Sequence, residues 1–441
     1  MRAFCFFSHA YRYAVSANTE LLAPAGTLAM LDTAFAFGAD AVYAGQPRYS
    51  LRVRNNDFGD LGVLATGVQR ARVLGKAFYL VANIFPHGAK LRTFLDDMAP
   101  AVALRPDAVI MSDPGLMMLV RDAWPNLPIH LSVQANTVNA ASVRFWARNG
   151  VSRVILSREL SLEEVEDIRQ ACPETELEVF IHGALCIAYS GRCLLSGYFN
   201  RRDPNQGTCT NSCRWEYKVG ATGGGTTQVP APEAARGRDI LLEEAERPGE
   251  FMPIEEDEHG TYILNSKDLR AIEHVQRLVA IGVDSLKIEG RTKSPYYVAR
   301  TVQAYRQAID DALAGRALDP ELLASLEGLA NRGYTDGFYQ RHHDTDYQNY
   351  LRGHSESSRS LYVGDVAAYD EARCAVRVDV KNRFAAGDRV ELVQPGGNRS
   401  FDIAGMRNEA GKPVDVAPGN GHRVWLPWPR DTVGAFVARF L

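Results

Sequence analysis

From Glu20 to Gly183 the chain alternates short apolar, β-branched runs with amphipathic stretches of roughly 10–15 residues, the pattern of parallel strands joined by helical crossovers. Strands are predicted at Glu20–Pro24, Ala39–Tyr43, Ala77–Ala82, Ala108–Met111, Ile129–Val133, Arg153–Leu156 and Leu177–Ile181. Several lack polar alternation, as expected of strands covered on both faces. Helices are expected at Leu61–Leu74, Ala140–Asn149 and Ser161–Ala171. The last opens Ser161-Leu162-Glu163-Glu164, a capping box in which the Ser hydroxyl accepts from the Glu164 amide. After a long interruption Ser266–Ile281 reads as a helix, Asp284–Ile288 as an eighth strand and Pro295–Ala314 as a closing helix. Eight strands with seven crossovers predict an α/β fold, a (β/α)8 TIM-like barrel, ahead of a doubly wound open sheet.

The interruption at Lys218–Gly260 contains Gly-Gly-Gly, Pro-Ala-Pro and an acidic stretch from Leu241 to Glu258, so it reads as a partly ordered surface excursion. Beyond Gly353 the runs become short, alternating and separated by Gly, Asn and Pro, which predicts a small C-terminal all-β barrel domain. Within it, Ala385–Val393 reads as a hairpin resembling the small barrel that recurs in translation factors. The expected organisation is a disordered leader over 1–19, a barrel over 20–352 with an insertion at about 190–262, and the β-domain over 353–441. The leader has an early Arg2, but His9, Tyr11 and Arg12 interrupt its apolar patch. That patch is too short for a signal peptide, so a cytoplasmic location is expected. No run approaches the roughly 18 apolar residues of a membrane span, which excludes an integral membrane protein with a helical span, and no membrane partner is expected.

Charge and cysteine content then narrow the chemistry. Forty-nine Lys and Arg against 53 Asp and Glu leave a net charge of -4, which argues against a uniformly basic nucleic-acid coat but leaves room for a local groove. Of seven cysteines, Cys5, Cys172 and Cys374 are isolated, whereas Cys186, Cys193, Cys209 and Cys213 have the spacing C-x6-C-x15-C-x3-C directly after the seventh strand. A barrel places its active-site loops there. Four thiolates can hold an iron–sulfur cluster or zinc, and inert buried thiols are the remaining alternative.

Arginines cluster on the same predicted rim. Arg192, Arg201, Arg202 and Arg214 accompany the cysteines; Arg48, Arg52 and Arg54 follow strand two; Lys287, Arg291 and Lys293 flank Glu289 after strand eight. Guanidinium forks match carboxylate and phosphate, so an anionic ligand is favoured over a merely solvated surface. His182, Gln134, Asn136, Arg158, Glu159 and Glu289 also lie at strand ends, and His182 or Glu289 could transfer protons. No G-x-S-x-G elbow, H-E-x-x-H pair or Walker A loop is present.

The segment Glu178-Val-Phe-Ile-His-Gly-Ala-Leu-Cys-Ile-Ala-Tyr-Ser-Gly-Arg-Cys-Leu-Leu-Ser196 resembles the signature of the U32 peptidase family. Glu20-Leu-Leu-Ala-Pro-Ala-Gly26, Asp40-Ala-Val-Tyr-Ala-Gly45, Arg201-Arg-Asp-Pro-Asn-Gln-Gly-Thr-Cys-Thr-Asn-Ser-Cys213 and Ser285-Leu-Lys-Ile-Glu-Gly-Arg291 are similar to its tRNA 5-hydroxyuridine branch. The resemblance implies a [4Fe-4S] cluster on Cys186, Cys193, Cys209 and Cys213, with zinc as the alternative. It also implies oxygen-independent, prephenate-dependent hydroxylation of the wobble uridine in the tRNA anticodon stem-loop, with an electron donor as a further candidate partner. Within that reading Arg48, Arg52, Arg158, Arg192, Lys287 and Arg291 are candidate substrate-binding residues, and Tyr189 or Trp215 could stack a splayed base. The rival expectations are a collagenase-like U32 peptidase and a tRNA-binding partner of another hydroxylase.

Overall fold

In the computed structural model, residues 19–46, 48–51, 56–186, 188–194, 205, 240–243, 251–257, 260–262, 267–331, 333–340 and 360–441 are described. Strands β1 (Glu20–Pro24), β2 (Ala41–Gly45), β3 (Ala77–Ala82), β4 (Ala108–Met111), β5 (Ile129–Leu131), β6 (Arg153–Ile155) and β7 (Glu176–Ala184) pair in parallel, in chain order. The acidic excursion contributes β8 (Ile240–Glu243), β9 (Phe251–Asp257) and β10 (Gly260–Tyr262), a separate antiparallel sheet in the order β10-β9-β8. Next come β11 (Asp268–Arg270) and β12 (Ser285–Ile288). Strand β12 pairs in parallel with both β7 and β1, which closes the eight-stranded TIM-like barrel. Strands β11 and β13 (Tyr334–Thr335) extend the sheet beyond β7.

Local chemistry explains many of the helix starts. Thr27 accepts from the Met30 amide, Asp113 precedes Pro114 and accepts from Leu116, and Ser294 precedes Pro295 and accepts from Tyr297. Ser161 and Glu164 complete the expected capping box at 3.3 and 2.9 Å. The predicted helix over 266–281 is corrected: Asp268–Arg270 is strand, and α-helix begins only at Val275. The long β7 runs past the end of β6, and its open edge recruits Asp268, Leu269 and Arg270 opposite Ala184, Gly183 and His182. Strand pairing there outweighs local helical preference.

The C-terminal part is a curled antiparallel sheet, a half-barrel. It runs β14 (Ser360–Asp370), β15 (Ala375–Val380), β16 (Phe384–Ala385), β17 (Arg389–Val393), β18 (Arg399–Asp402), β19 (Met406–Asn408), β20 (Pro413–Val414), β21 (Val416–Ala417), β22 (Arg423–Pro427) and β23 (Phe436–Phe440). The main sheet has the order β18-β17-β23-β14-β15-β22-β19-β20, so its two edges do not pair. The expected Ala385–Val393 hairpin is also corrected. A turn with Gly387 at φ 88° does join the segments, but β16 pairs with β21 while β17 pairs with β18 and β23.

This domain is packed firmly against the barrel through the helix Pro295–Leu313. Tyr296 stacks on Tyr362 with ring centroids 4.7 Å apart, Phe436 packs edge-on to both, and buried Arg300 pairs with Glu391 at 2.8 Å. No helix among the described residues is long and apolar enough to cross a membrane.

Candidate functional site

The lower half of the barrel is filled by charge. Side chains from β1, β3, β6, β7 and β12 meet there, and only the lumen permits such a meeting. Glu178, fully buried, accepts from Lys287 at 2.7 Å and lies 3.5 Å from Arg153. Arg153 donates to Glu20 at 2.6 Å and to Glu176 at 2.8 Å, and Glu20 also accepts from Tyr79 and Ser285 at 2.6 and 2.7 Å. Burial lowers the Lys287 pKa, while Glu178 pulls it back up. His130, against Tyr79, is held neutral by burial and by the neighbouring cations Arg153 and Lys287. Lys287 therefore braces the lumen below the rim, its charge already matched by Glu178.

Above this floor the strand ends form a mouth. The Tyr43 hydroxyl donates to the Ile288 carbonyl at 2.9 Å and to Glu289 at 3.3 Å. Arg158 lies 3.9 Å from the same carboxylate and stacks its guanidinium 3.8 Å from the centroid of Phe180. Arg291, 7% exposed, donates to Ser50 at 2.7 Å with its guanidinium carbon 5.6 Å from the centre of the Tyr43 ring. A Cβ on Gly45 would stand 2.4 Å from the Arg291 guanidinium, so glycine is what lets that side chain cross the mouth. Asn83 accepts from the Leu51 amide, next to Ser50, and donates to Ser132, at 3.2 and 3.1 Å. Burial, followed by the charge of Glu289, raises the Tyr43 pKa well above its ordinary value, so its phenol stays protonated as a donor.

The cysteine loop leaves β7 at the same face. Cys186 is exposed and Cys193 half-buried. The loop is held in place: Gly191 has φ 75° and presses on the Gln134 carbonyl, where a Cβ would come within 2.4 Å. Asn205 donates to the Cys193 carbonyl at 3.1 Å and accepts from the Phe85 amide at 3.2 Å. An anchored loop presenting two thiols suits a thiophilic metal or cluster. Cys209 and Cys213 lie outside the described residues, as do Arg52, Arg54, Arg201, Arg202, Arg214 and Trp215. Among the described residues no group of three or more His, Cys, Asp or Glu is placed to hold a metal.

Arg158, Glu289 and Arg291 thus meet around Tyr43 at the C-terminal ends of the strands, and Cys186 and Cys193 lie on the loop that leaves β7 at the same end. Other candidates stand apart. Arg48 pairs with Asp97 at 2.6 Å, Arg192 is exposed on the cysteine loop near half-exposed Tyr189, and Glu159 bonds Ser157. His182 lies between β7 and the helix layer, its Nδ1 3.2 Å from the Tyr305 hydroxyl and its ring against Tyr297 and Tyr334. Strict alternation would put it in the lumen with Glu178 and Phe180. A bulge prevents this: Lys287 pairs with Phe180 but Ile288 pairs with His182, so Ile181 is an extra residue and the side-chain sequence resets. Burial pushes the His182 pKa down to about 3, so the ring is neutral at pH 7.

Ser50, Asn83 and Ser132 belong to none of the motifs legible in the sequence, and Tyr43 lies in one without being marked there as a mouth residue. Tyr43, Asn83 and Ser132 are polar side chains within or just after strands whose other positions are mostly small and apolar.

Comparisons with known proteins place these features in a family. Residues 26–349 match Peptidase family U32, and residues 358–439 match the Peptidase family U32 C-terminal domain. The chain is 58% identical over 428 residues to "tRNA hydroxylation protein P" of Escherichia coli, covering 93% of this chain and 94% of that protein. It is 55% identical over 431 residues to the protein of the same name from Haemophilus influenzae, with the same coverages. A "Collagenase" from Porphyromonas gingivalis is 28% identical over 394 residues, covering 85% of this chain and 86% of that one.

Proposed function

The chain belongs to peptidase family U32, and on that premise we propose that it is a tRNA-modifying enzyme that hydroxylates the wobble uridine to 5-hydroxyuridine with prephenate as a required metabolite. The observation that supports this most is the 58% identity, over nearly the full length of both chains, to a protein named for tRNA hydroxylation. Replacing C5–H by C5–OH is a two-electron oxidation that needs a source of the hydroxyl oxygen and an acceptor for both electrons. Amino-acid side chains alone supply neither, so a redox group with an external electron partner and a small-molecule oxygen source are required.

In this reading Cys186 and Cys193, with Cys209 and Cys213, hold a [4Fe-4S] cluster. Such a group, when bound, supplies one-electron redox chemistry. The protein's own side chains do the rest. Arg158 and Arg291, on neighbouring sides of the mouth, offer guanidinium forks to the two carboxylates of prephenate. Arg158 then exchanges its contact to Glu289 for the ligand, and Glu289, still bonded to the protonated Tyr43, becomes available to take a proton. Exposed Tyr189 on the cysteine loop offers a face for the extruded uracil.

Nucleoside mass spectrometry of tRNA tests the proposal in a deletion strain that has no parallel oxygen-dependent route. Complementation with the natural protein is expected to restore 5-hydroxyuridine, and complementation with Cys193→Ala is expected not to. Undiminished 5-hydroxyuridine in the uncomplemented deletion strain and in the Cys193→Ala strain would sink it. Similarity to a collagenase supports a second reading, proteolysis. Cleavage of denatured collagen by the purified natural protein, lost in the Cys193→Ala variant, would favour it.

A further inference from the structure

We propose that the outer face of the C-terminal sheet is a stacking site for a single-stranded nucleotide of RNA, centred on Trp425 and flanked by Arg377 and Arg407. The proposal rests on the reading of the protein as a tRNA-modifying enzyme, and it adds a second contact, separate from the barrel mouth.

The register builds the site. On β22, Val424 and Leu426 are buried in the domain core, so Trp425 between them faces outward and is half-buried. Directly opposite it on one side is Arg377 of β15, and on the other is Arg407 of β19. An indole is thereby bracketed across three strands by two guanidiniums. A third, Arg373, lies with its guanidinium carbon 5.9 Å from the indole centroid. A groove on the Arg407 side of Trp425 has a volume of about 620 Å³ and is lined among others by Arg373, Met406, Arg407, Pro413, Trp425 and Pro427, with Arg377 outside it. A space of that order suits a ligand of nucleotide size.

The charges on this face are only loosely committed. Arg373 meets Asp370 at 3.4 Å, Arg377 meets Asp379 at 3.5 Å, and Arg423 meets Glu409 at 3.2 Å and Asp379 at 3.4 Å. Arg407 donates to the Gly411 carbonyl at 2.9 Å. Exposed pairs of this kind contribute little, so phosphates can displace them at small cost. A π-face with guanidiniums on both sides is the combination that binds an unpaired base through stacking and its phosphates through charge. An apolar peptide would gain nothing from that row of cations. The stacked Tyr296–Tyr362 pair and the Arg300–Glu391 contact hold the face in a fixed relation to the barrel, so RNA bound at both places is positioned rather than merely tethered.

The test is equilibrium binding of the full-length protein to an unmodified tRNA transcript, for the natural sequence and for Trp425→Ala, Trp425→Phe and Arg407→Gln. Ultraviolet crosslinking with peptide mapping accompanies it. Stacking of one base predicts about tenfold weaker binding for Trp425→Ala, most of it restored in Trp425→Phe. Arg407→Gln, an exposed position that does not threaten the fold, should weaken binding and lower the salt slope by about one. An RNA adduct on the peptide containing Trp425 is also expected. Natural protein that binds tRNA while Trp425→Ala and Arg407→Gln bind it equally well overturns this site and leaves the tRNA reading standing. Natural protein that binds no tRNA overturns both readings.

Discussion

Replacing Glu178 by Gln should destabilise the barrel by an amount that depends on pH in a specified way. Glu178 is fully buried, Lys287 is 3% exposed, and their contact is 2.7 Å. Removing one member of such a pair typically costs about 3–5 kcal/mol, because the other is left buried and uncompensated. Here the cost has a ceiling. Lys287, already depressed by burial, can escape by losing its proton. At pH 7, deprotonating a lysine whose unfolded pKa is about 10.4 costs about 4.6 kcal/mol, and at pH 9 only about 1.9 kcal/mol. In the variant the unfolded state then binds the extra proton, so stability rises with pH toward the unfolded lysine pKa. Urea unfolding followed by circular dichroism at pH 7 and pH 9 measures both values against the natural protein. The expected penalty is about 3–5 kcal/mol at pH 7 and no more than about 2 kcal/mol at pH 9. Glu178→Gln combined with Lys287→Met should recover much of the loss at pH 7. A penalty that is the same at both pH values, or a double variant as unstable as the single, would refute the idea that Lys287 depends on Glu178 for its charge.

Further outcomes follow from the same geometry. His182 has a folded pKa near 3, below its unfolded value, so the unfolded state takes up the proton first: its contribution is intact above about pH 6.5 and is lost as pH falls toward 3. That loss is about 2 kcal/mol by pH 5, and His182→Phe should flatten this part of the pH–stability curve; an unchanged slope would place the titration elsewhere. Gly45→Ala forces a methyl against Arg291 and Ser50, and should raise the KM for prephenate roughly tenfold, the worth of one charge-assisted hydrogen bond. An unchanged KM would remove Arg291 from the binding site. Anaerobically purified protein should be brown with bound iron, and Cys186→Ser should lose both colour and iron; colourless protein with stoichiometric zinc would show a closed structural metal site instead.

Much of this protein was legible along the chain because the signals are local. Each βα unit repeats its own burial pattern, and eight such units close a barrel whose loops share one face, so the strand ends that carry Arg158, Glu289, Arg291 and the cysteine loop follow from the chain's own rhythm. The C-terminal strands announced themselves by alternation in the same way. What pairing between distant strands controls was not legible. One extra residue in β7 turns His182 away from the lumen, and the open edge of that strand converts Asp268–Arg270 from expected helix to strand. Lys287 resembles a rim cation in sequence, yet Glu178, 109 residues away, meets it inside the barrel. The row Arg377, Trp425 and Arg407 exists only because three strands align in register. Periodicity is a property of neighbouring residues and was determined by the sequence; which side chains face one another depends on register, bulges and closure, and those were decided by the packed tertiary structure.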